Sequence, residues 1–198
     1  MNDNLKAITN NTRFRIYDAF ITIYREKPLR SIRVSEIAKI AKINRSTFYE
    51  YFKDPYDVLD QLEDFLLDYH ISKTRIKPGS NNDRKYTVEE LTYDIEQNSG
   101  EKITLVMQMD DSKIARKLSL IIENYIKRVY NLDYDNPAVK CQTVGLASYI
   151  VSYIRAKSYI YPVSESTKEQ REILDVLFEG INEGINQMVK ISKKKVDP

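Results

Sequence analysis

Glycine and proline are scarce in this sequence, and their scarcity constrains the fold more than any other feature. The chain has 5 Gly and 6 Pro among 198 residues. A β-sandwich or barrel needs a turn roughly every 8–12 residues, and tight turns depend on these two residue types. The sequence therefore predicts an all-α protein. Its length allows a small domain beside a larger one, with enough buried core to fold without disulfides or metals.

The counts of cysteine and histidine exclude several classes of site. The chain has one cysteine, Cys141, and one histidine, His70. An internal disulfide needs two cysteines, and structural zinc sites use about four Cys or His ligands. We therefore expect no metal and no cofactor. Cys141 is expected to be a buried small hydrophobic residue, although a redox role stays open.

The sequence predicts neither a transmembrane helix nor a signal peptide. No apolar run approaches the ~18 residues that cross a bilayer. The first residues, MNDNLKAITNNTRF, lack the apolar core and the small-residue cleavage site of a signal peptide. The sequence therefore predicts a cytoplasmic protein without membrane contact.

Charge is distributed unevenly along the chain. Residues 1–54 contain 11 Lys and Arg against 6 Asp and Glu, whereas residues 55–198 contain 20 against 23. A basic first quarter, at +5, favours a polyanionic partner such as nucleic acid. The alternative is an ordinary solvated basic surface.

The first quarter has the helical spacing of a helix-turn-helix. Apolar residues predict helices at about 12–25, 34–41 and 45–52, with Thr12 or Asn11 capping the first and Asn44 the third. The second and third segments are too short to be stable alone, so they must pack on the first. Only Lys42 and Ile43 separate them. Such a pair of short helices can place the second one in the major groove of DNA.

The third segment divides into an apolar side and a polar side. Phe48 and Phe52 fall on the inner face, whereas Arg45 and Tyr49 fall on the others together with two hydroxyl residues, Ser46 and Thr47. Arginine can read guanine, and Ser, Thr or Tyr hydroxyls can bond phosphates. The alternative is that Arg45 is a solvated charge and Tyr49 packs on the first helix.

These residues resemble a known family. The segments Ile37-Ala38, Ala41, Ile43, Asn44-Arg45-Ser46-Thr47-Phe48-Tyr49 and Tyr51-Phe52 are similar to the signature of TetR-family transcriptional regulators, over residues 12–59. The NRSTFY form resembles the subgroup of regulators of dihydroxyacetone-kinase operons. The resemblance implies a DNA-binding domain over 1–54, and a domain for dimerisation and binding of a small-molecule effector over 55–198.

The resemblance thus implies a homodimeric, ligand-responsive regulator that binds a near-palindromic operator in double-stranded DNA. We expect it to act as a repressor. The residues expected at the DNA interface are Thr12, Arg33, Lys42, Asn44, Arg45, Ser46, Thr47, Tyr49, Lys53 and Tyr56. The effector is unknown.

Three positions depart from the family pattern. Arg33 stands where a capping threonine is usual, and Lys42 replaces the glycine of the turn. A lysine with positive φ costs on the order of 1 kcal/mol. Pro55 replaces a lysine that often contacts phosphate in the family. Lys42 and Lys53 would then supply the positive charge, and the N–H group of Tyr56 could donate a hydrogen bond to the phosphate.

The rest of the sequence indicates helices at about 55–72, 87–97, 101–108, 112–131, 138–160 and 168–191. Asp54 and Pro55 are expected as the N-cap and first residue of the first of these, and Thr167 and Gln170 as a capping box for the last. Small residues recur along the last two helices, which pair with their two-fold mates in TetR-like proteins. The expected dimer interface comprises Gly145, Ser148, Ser152, Ala156, Gly180, Ile181, Gly184 and Ile185. The alternative is close packing within one subunit.

Residues with an apolar body and a polar or soft tip could line an effector cavity. The candidates are Tyr93, Met107, Tyr125, Tyr149 and Tyr153, with plain core packing as the alternative for each. Two other functions are kept open. The departures at Arg33, Lys42 and Pro55 suggest a helical co-regulator that binds proteins instead of DNA. A helical enzyme is disfavoured because no acid–base or metal cluster is visible.

Overall fold

The protein is all helical over the residues that the structure describes. A computed structural model describes residues 11–74, 76, 86–87, 90–91, 93–94, 101–160 and 168–193, and no β-strand occurs among them. The helices are α1 (Thr12–Tyr24), α2 (Val34–Ala41), α3 (Arg45–Tyr51), α4 (Pro55–Ile71), α5 (Glu101–Gln108), α6 (Ile114–Tyr130), α7 (Pro137–Ile160) and α8 (Lys168–Lys193). The prediction of an all-α fold is confirmed.

Two details differ from the sequence-based expectation. A short 3₁₀ helix at Leu29–Ser31 precedes α2 and was not predicted. Of the predicted helix at 87–97, residues 90, 91, 93 and 94 are helical, and the others lie outside the described residues except Thr87, which precedes the helix. The proposed capping box at Thr167 also lies outside them.

The chain divides into two compact units, Met1–Phe65 and Leu66–Pro198. The division falls inside α4, whereas the expected domain boundary at residue 54 precedes that helix. Helix α4 therefore contributes residues to both units.

The first unit is organised around the inner sides of α1, α2 and α3. Ile16, Phe20, Ile37 and Phe48 have no exposed surface, and Phe52 is 2% exposed. Helices of eight and seven residues, such as α2 and α3, are marginal in isolation, so their stability comes from this shared core.

The second unit is built on the pairing of α6 with α7. Leu118 and Ile122 of α6 are fully buried, as are Ala147 and Ile150 of α7. Thr143 is also fully buried, and its hydroxyl donates to the Val139 carbonyl at 2.8 Å, which satisfies the polar group inside the core. Helix α8 buries Phe178, Ile185 and Met188. Among the described residues, no helix has the length and apolar character needed to cross a bilayer.

Burial of tyrosine in the second unit gives a prediction about alkaline pH. Burial raises the pKa of Tyr125 to about 12, and the ring is only 2% exposed. The folded state then holds a proton that the unfolded chain loses near pH 10, so stability is full below pH 10 and falls as the pH rises toward 12. Urea unfolding at pH 8 and at pH 11 should show this loss.

The variant Tyr125→Phe should unfold more easily at pH 8, because it loses a hydrogen bond, yet lose less stability between pH 8 and 11 than the wild type. Tyr149→Phe is the matched control, since that ring is 37% exposed. If wild type and Tyr125→Phe lose the same free energy of unfolding between pH 8 and pH 11, ionisation of Tyr125 does not cause the loss.

Candidate nucleic-acid interface

Helix α3 is fixed to the first unit by its two phenylalanines. The rings of Phe48 and Phe52 lie 5.9 Å apart, and the Phe52 ring lies 5.5 Å from that of Tyr17 on α1. The guanidinium of Arg13 stands 5.5 Å from the centre of the Phe52 ring, within the range of a cation–π contact. The predicted inner face of α3 is thereby confirmed.

The same aromatic cluster reaches α4 at Phe65. The Phe65 ring lies 5.0 Å from Phe14 and 5.9 Å from Tyr17. Arg13 Nη1 also donates to Gln61 Oε1 at 2.9 Å. Helix α1, helix α3 with Phe52, and α4 as far as Phe65 are therefore held as one packed group, which sets the direction in which α3 presents its outer face.

The turn between α2 and α3 has the strained backbone that the sequence suggested. Lys42 has φ 53° and ψ 51°, in the left-handed region. The Ile43 N–H donates to the Ala38 carbonyl at 3.0 Å, and the Lys42 N–H to that of Lys39 at 3.3 Å. These two bonds form a Schellman motif, in which glycine is the favoured residue. Asn131 ends α6 in the same way, with φ 49°.

Arg15 stabilises this turn and was missed by sequence reasoning. Its Nη2 atom donates to the Lys42 carbonyl at 2.8 Å and also to the Ala41 carbonyl. These are carbonyls that a helix end leaves without helical partners, so a charged donor there offsets part of the cost of the Lys42 conformation. Arg15 precedes Ala41 by 26 positions and Lys42 by 27, so no local sequence pattern predicts the contact.

The start of α2 explains how the chain manages without a capping threonine. The Arg33 N–H donates to Glu36 Oε2 at 2.9 Å, and Lys27 Nζ lies 2.6 Å from Glu36 Oε1. The hydrogen bond from Lys27, followed by that from the Arg33 backbone, lowers the pKa of the Glu36 carboxyl. A guanidinium has no acceptor, so Arg33 cannot cap the helix itself and its side chain stays exposed.

The start of α4 confirms the predicted cap but changes the electrostatics. Asp54 Oδ1 accepts the Asp57 N–H at 2.9 Å, and Asp54 directly precedes Pro55, the first residue of the helix. Asp57 Oδ2 accepts the Lys53 N–H at 2.8 Å. Two carboxylates therefore occupy this helix start, where a phosphate would have to bind. A contact from Tyr56, which is 55% exposed, would use its hydroxyl instead of its N–H group.

All ten residues expected at the DNA interface lie in the first unit, but they do not form one continuous segment. Lys42 and Asn44 through Ser46 are exposed, and Tyr49 is 53% exposed. Asn44 stands at the start of α3 without a side-chain capping bond, so its amide remains for another partner. Thr47 on α3 and Thr12 on α1 are half-buried, while Arg33 and Lys53 are exposed.

Glu50 is exposed on α3, and sequence reasoning gave it no role. It follows Ser46 by four residues, which places the two side chains on one face of the helix. Carboxylates can accept a hydrogen bond from cytosine but repel phosphate.

Comparisons of sequence identify no relative. A scan of protein-family models finds no match, and a comparison with curated proteins finds no significant one. Solved structures do match. The dihydroxyacetone kinase operon activator DhaS superposes with a TM-score of 0.50 at 19% identity, over 91% of this chain and 97% of DhaS.

The TetR family repressor AlkX from Dietzia sp. strain DQ12-45-1b, described as implicated in biodegradation of n-alkanes, gives a TM-score of 0.51 at 14% identity. The match covers 91% of this chain and 98% of AlkX. The chain has a TetR-like fold. The two scores are nearly equal, so fold similarity does not distinguish the predicted subgroup from other members of the family.

The residues expected to pair subunits of this TetR-like fold leave open space beside them. Among the described residues, a Cβ atom built on Gly145, Gly180 or Gly184 would meet no heavy atom within 4 Å. Close packing among the described residues of one subunit therefore does not account for these glycines. Ser148, Ser152 and Ala156 are exposed, Ile181 is half-buried and Ile185 is 4% exposed.

Cys141 corrects an expectation from the sequence. It is exposed, one turn before Gly145 on α7, and not part of the core. Apolar residues are spread around α7, so the sequence does not show which side of the helix is buried. The expectation that Cys141 is buried was wrong for this reason. Among the described residues, no group of three His, Cys, Asp or Glu side chains could hold a metal ion.

The five residues expected to line an effector cavity are scattered. Met107 and Tyr125 are 3% and 2% exposed, whereas Tyr93 and Tyr149 are 62% and 37% exposed. Tyr153 contacts Phe178 edge-on, with ring centres 5.4 Å apart. Among the described residues, none of the five lines the groove formed by Tyr86, Thr87, Tyr130 and one side of α8.

The backbone of Lys42 gives a prediction with two readouts. Lys42→Gly should raise the free energy of unfolding by about 1 kcal/mol, because glycine adopts positive φ without the Cβ penalty. It should also weaken DNA binding and lower the salt slope by about one for each subunit of the dimer, because each subunit loses one phosphate contact. Urea unfolding and a salt series of DNA titrations measure the two effects.

Lys39→Gly is the control, since Lys39 is exposed on the same helix and has helical backbone. Glycine there should destabilise by about 1 kcal/mol. If Lys42→Gly destabilises as much as Lys39→Gly, the left-handed conformation carries no measurable cost.

Proposed function

We propose that the protein is a homodimeric, ligand-responsive transcriptional regulator, acting as a repressor, that binds a near-palindromic operator through α3. One observation carries the proposal. Phe48 and Phe52 anchor the inner side of α3, and the exposed outer side holds Arg45, Ser46 and Tyr49. A recognition helix needs both properties, because it must hold its angle while it presents short polar side chains to the major groove.

The side chains have distinct roles in this proposal. Arg45 reads a base, because its guanidinium can bond guanine O6 and N7 together. Tyr49 donates its hydroxyl to a phosphate, while Lys42 and Lys53 contribute charge to phosphates on either side. Arg15 is a positioning residue, since it acts on the backbone of the turn that leads into α3.

Dimerisation is proposed through α7 and α8. The open space beside Gly145, Gly180 and Gly184 supports it, because glycine in a helix interior costs about 1 kcal/mol and permits a neighbouring backbone to approach closely. A two-fold dimer would place two copies of α3 in successive major grooves, about 34–36 Å apart.

Regulation is proposed to pass along α4, which contributes residues to both units. An effector that binds the second unit changes the separation of the two α3 helices. Its effect on operator affinity cannot exceed the difference between its own affinities for the DNA-bound and free spacings.

The test is DNA binding by the full-length protein over a salt series. Fluorescence anisotropy would compare a duplex from upstream of its own gene with a random duplex of equal length. We expect the upstream duplex to bind roughly 10³-fold tighter or more. Equal affinity for both duplexes at every salt concentration, or no binding, would overturn the proposal.

A co-regulator that binds proteins is the second candidate. The carboxylates of Asp54 and Asp57 at the start of α4 favour it, because they put negative charge where TetR-family members often bind phosphate. DhaS is described as an operon activator and AlkX as a repressor, so a catalytic function is not proposed.

A further inference from the structure

A polar groove in the second unit belongs to none of the sites described so far. Its volume is about 510 Å³, within the range of small-molecule sites. It lies between the segment Tyr86–Thr87, the end of α6 and one side of α8. The lining residues are Tyr86, Thr87, Tyr130, Asn182, Glu183, Asn186, Val189 and Lys190.

The side of α8 that lines the groove is not the side that holds the glycines. Asn182, Asn186 and Lys190 recur every four residues and therefore share one face of the helix. Gly184 is two residues from both asparagines, which places it on the opposite face. A ligand in the groove would leave the proposed dimer interface untouched.

Hydrogen-bonding groups of both kinds line the groove. The amide of Asn186 offers both donors and an acceptor. The Thr87 hydroxyl accepts the Glu90 N–H at 3.2 Å, so its proton is left to donate outward. An apolar ligand would remove these groups from water without giving them partners, at a cost of roughly 1–3 kcal/mol for each.

Charge in the groove is balanced. Glu183 and Lys190 are the charged lining residues and cancel each other. The Glu183 carboxylate also accepts a hydrogen bond from the Gln187 amide at 2.7 Å. An anionic ligand would meet Glu183 and a cationic ligand would meet Lys190, so the lining favours a neutral compound.

Two tyrosine rings complete the wall. Tyr86 is 5% exposed, and its ring stacks on Tyr125 with centres 6.3 Å apart, which holds it in place. Burial, reinforced by the nearby Glu90 charge, raises the pKa of the Tyr130 phenol. Tyrosine side chains beside amide groups suit the apolar C–H surfaces and the hydroxyls of a sugar.

We propose that this groove binds a neutral polyhydroxylated small molecule of mono- or disaccharide size. The inference deepens the proposed function by naming the chemical class of the effector. Binding of such a molecule in the groove does not depend on the proposed function, but its role as an effector does. None of the residues expected from sequence to form a cavity lines this groove, because its wall combines three segments that are distant in the chain.

Thermal unfolding and calorimetric titration of the full chain, without DNA, test the proposal. The neutral probes are glucose, mannitol and sucrose, each up to about 50 mM, and the charged probes are glucose 6-phosphate and lysine. We expect at least one neutral probe to bind and to raise the Tm, because a ligand that binds only the folded state stabilises it. Charged probes should bind more weakly.

Asn186→Leu should weaken binding of that probe at least tenfold, because it removes hydrogen-bonding groups and narrows the groove. Asn124→Leu is the matched control, since Asn124 is exposed on α6 and does not line the groove. Failure of all neutral probes, tighter binding of a charged probe, or unchanged binding by Asn186→Leu would each overturn the proposal. Since no DNA is present, these failures are distinct from a failure of operator binding.

Discussion

Arg45→Ala is expected to weaken operator binding by about 1–3 kcal/mol for each half-site, through loss of a base contact. In a symmetric dimer the loss occurs twice, so the overall affinity should fall at least about thirtyfold. Discrimination between the operator and a random duplex should fall with it, mainly at one base pair in each half-site. Anisotropy titrations with operator variants at that base pair measure both quantities.

The fold should not be affected by this change, because Arg45 is exposed at the start of α3. Arg25→Ala is the matched control, since it removes the same charge from an exposed position at the end of α1. It should reduce the affinity for operator and random DNA by similar small factors. If Arg25→Ala and Arg45→Ala behave alike, Arg45 contributes only charge.

Tyr49→Phe separates phosphate contact from base reading in the same titrations. The ring contacts Phe48 at 5.5 Å, and this contact is retained by phenylalanine. We expect uniform weakening on all sequences, with an unchanged salt slope because no charge is removed. If neither Arg45→Ala nor Tyr49→Phe changes binding to either duplex, α3 is not the reading helix and the co-regulator function takes its place.

Gly184→Leu is expected to stabilise the isolated subunit and to weaken the dimer. In one subunit the new side chain enters open space, and leucine is the better helix former by about 0.5–1 kcal/mol. Across a close two-fold interface it would overpack by about 1–3 kcal/mol at each of two sites. The dimer dissociation constant should therefore rise at least about thirtyfold.

Sedimentation at several protein concentrations measures the dissociation constant, and urea unfolding of the dissociated protein measures the subunit. Asn186→Leu is the control, since it introduces leucine on the opposite face of α8. An unchanged dimer in Gly184→Leu would show that the glycines of α8 have no role in association.

Features with a local cause could be predicted from the sequence. Asp54 and Pro55 start α4 as expected, because a capping carboxylate and a proline act within one turn. Burial of Phe48 and Phe52 followed from helical spacing, since an amphipathic segment that short has only one apolar face.

Features assembled from distant segments could not be predicted. The bond from Arg15 to the turn depends on the packing of α1 against α2, which no sequence window contains. The ion pair of Lys27 with Glu36 joins two elements in the same way. The polar groove needs Tyr86, the end of α6 and one side of α8 at once, and none of the three is distinctive alone.

The shortness of α2 and α3 has a consequence for how mutational data on this protein should be interpreted. Neither helix can open and reform by itself, so their amide hydrogens should exchange with solvent only when the whole aromatic cluster opens. The fraction of molecules that can bind DNA then equals the folded fraction of the cluster, and apparent affinity falls in proportion to it. A substitution at Phe20, which has no exposed surface, can thereby weaken binding to every sequence without contact between that residue and DNA.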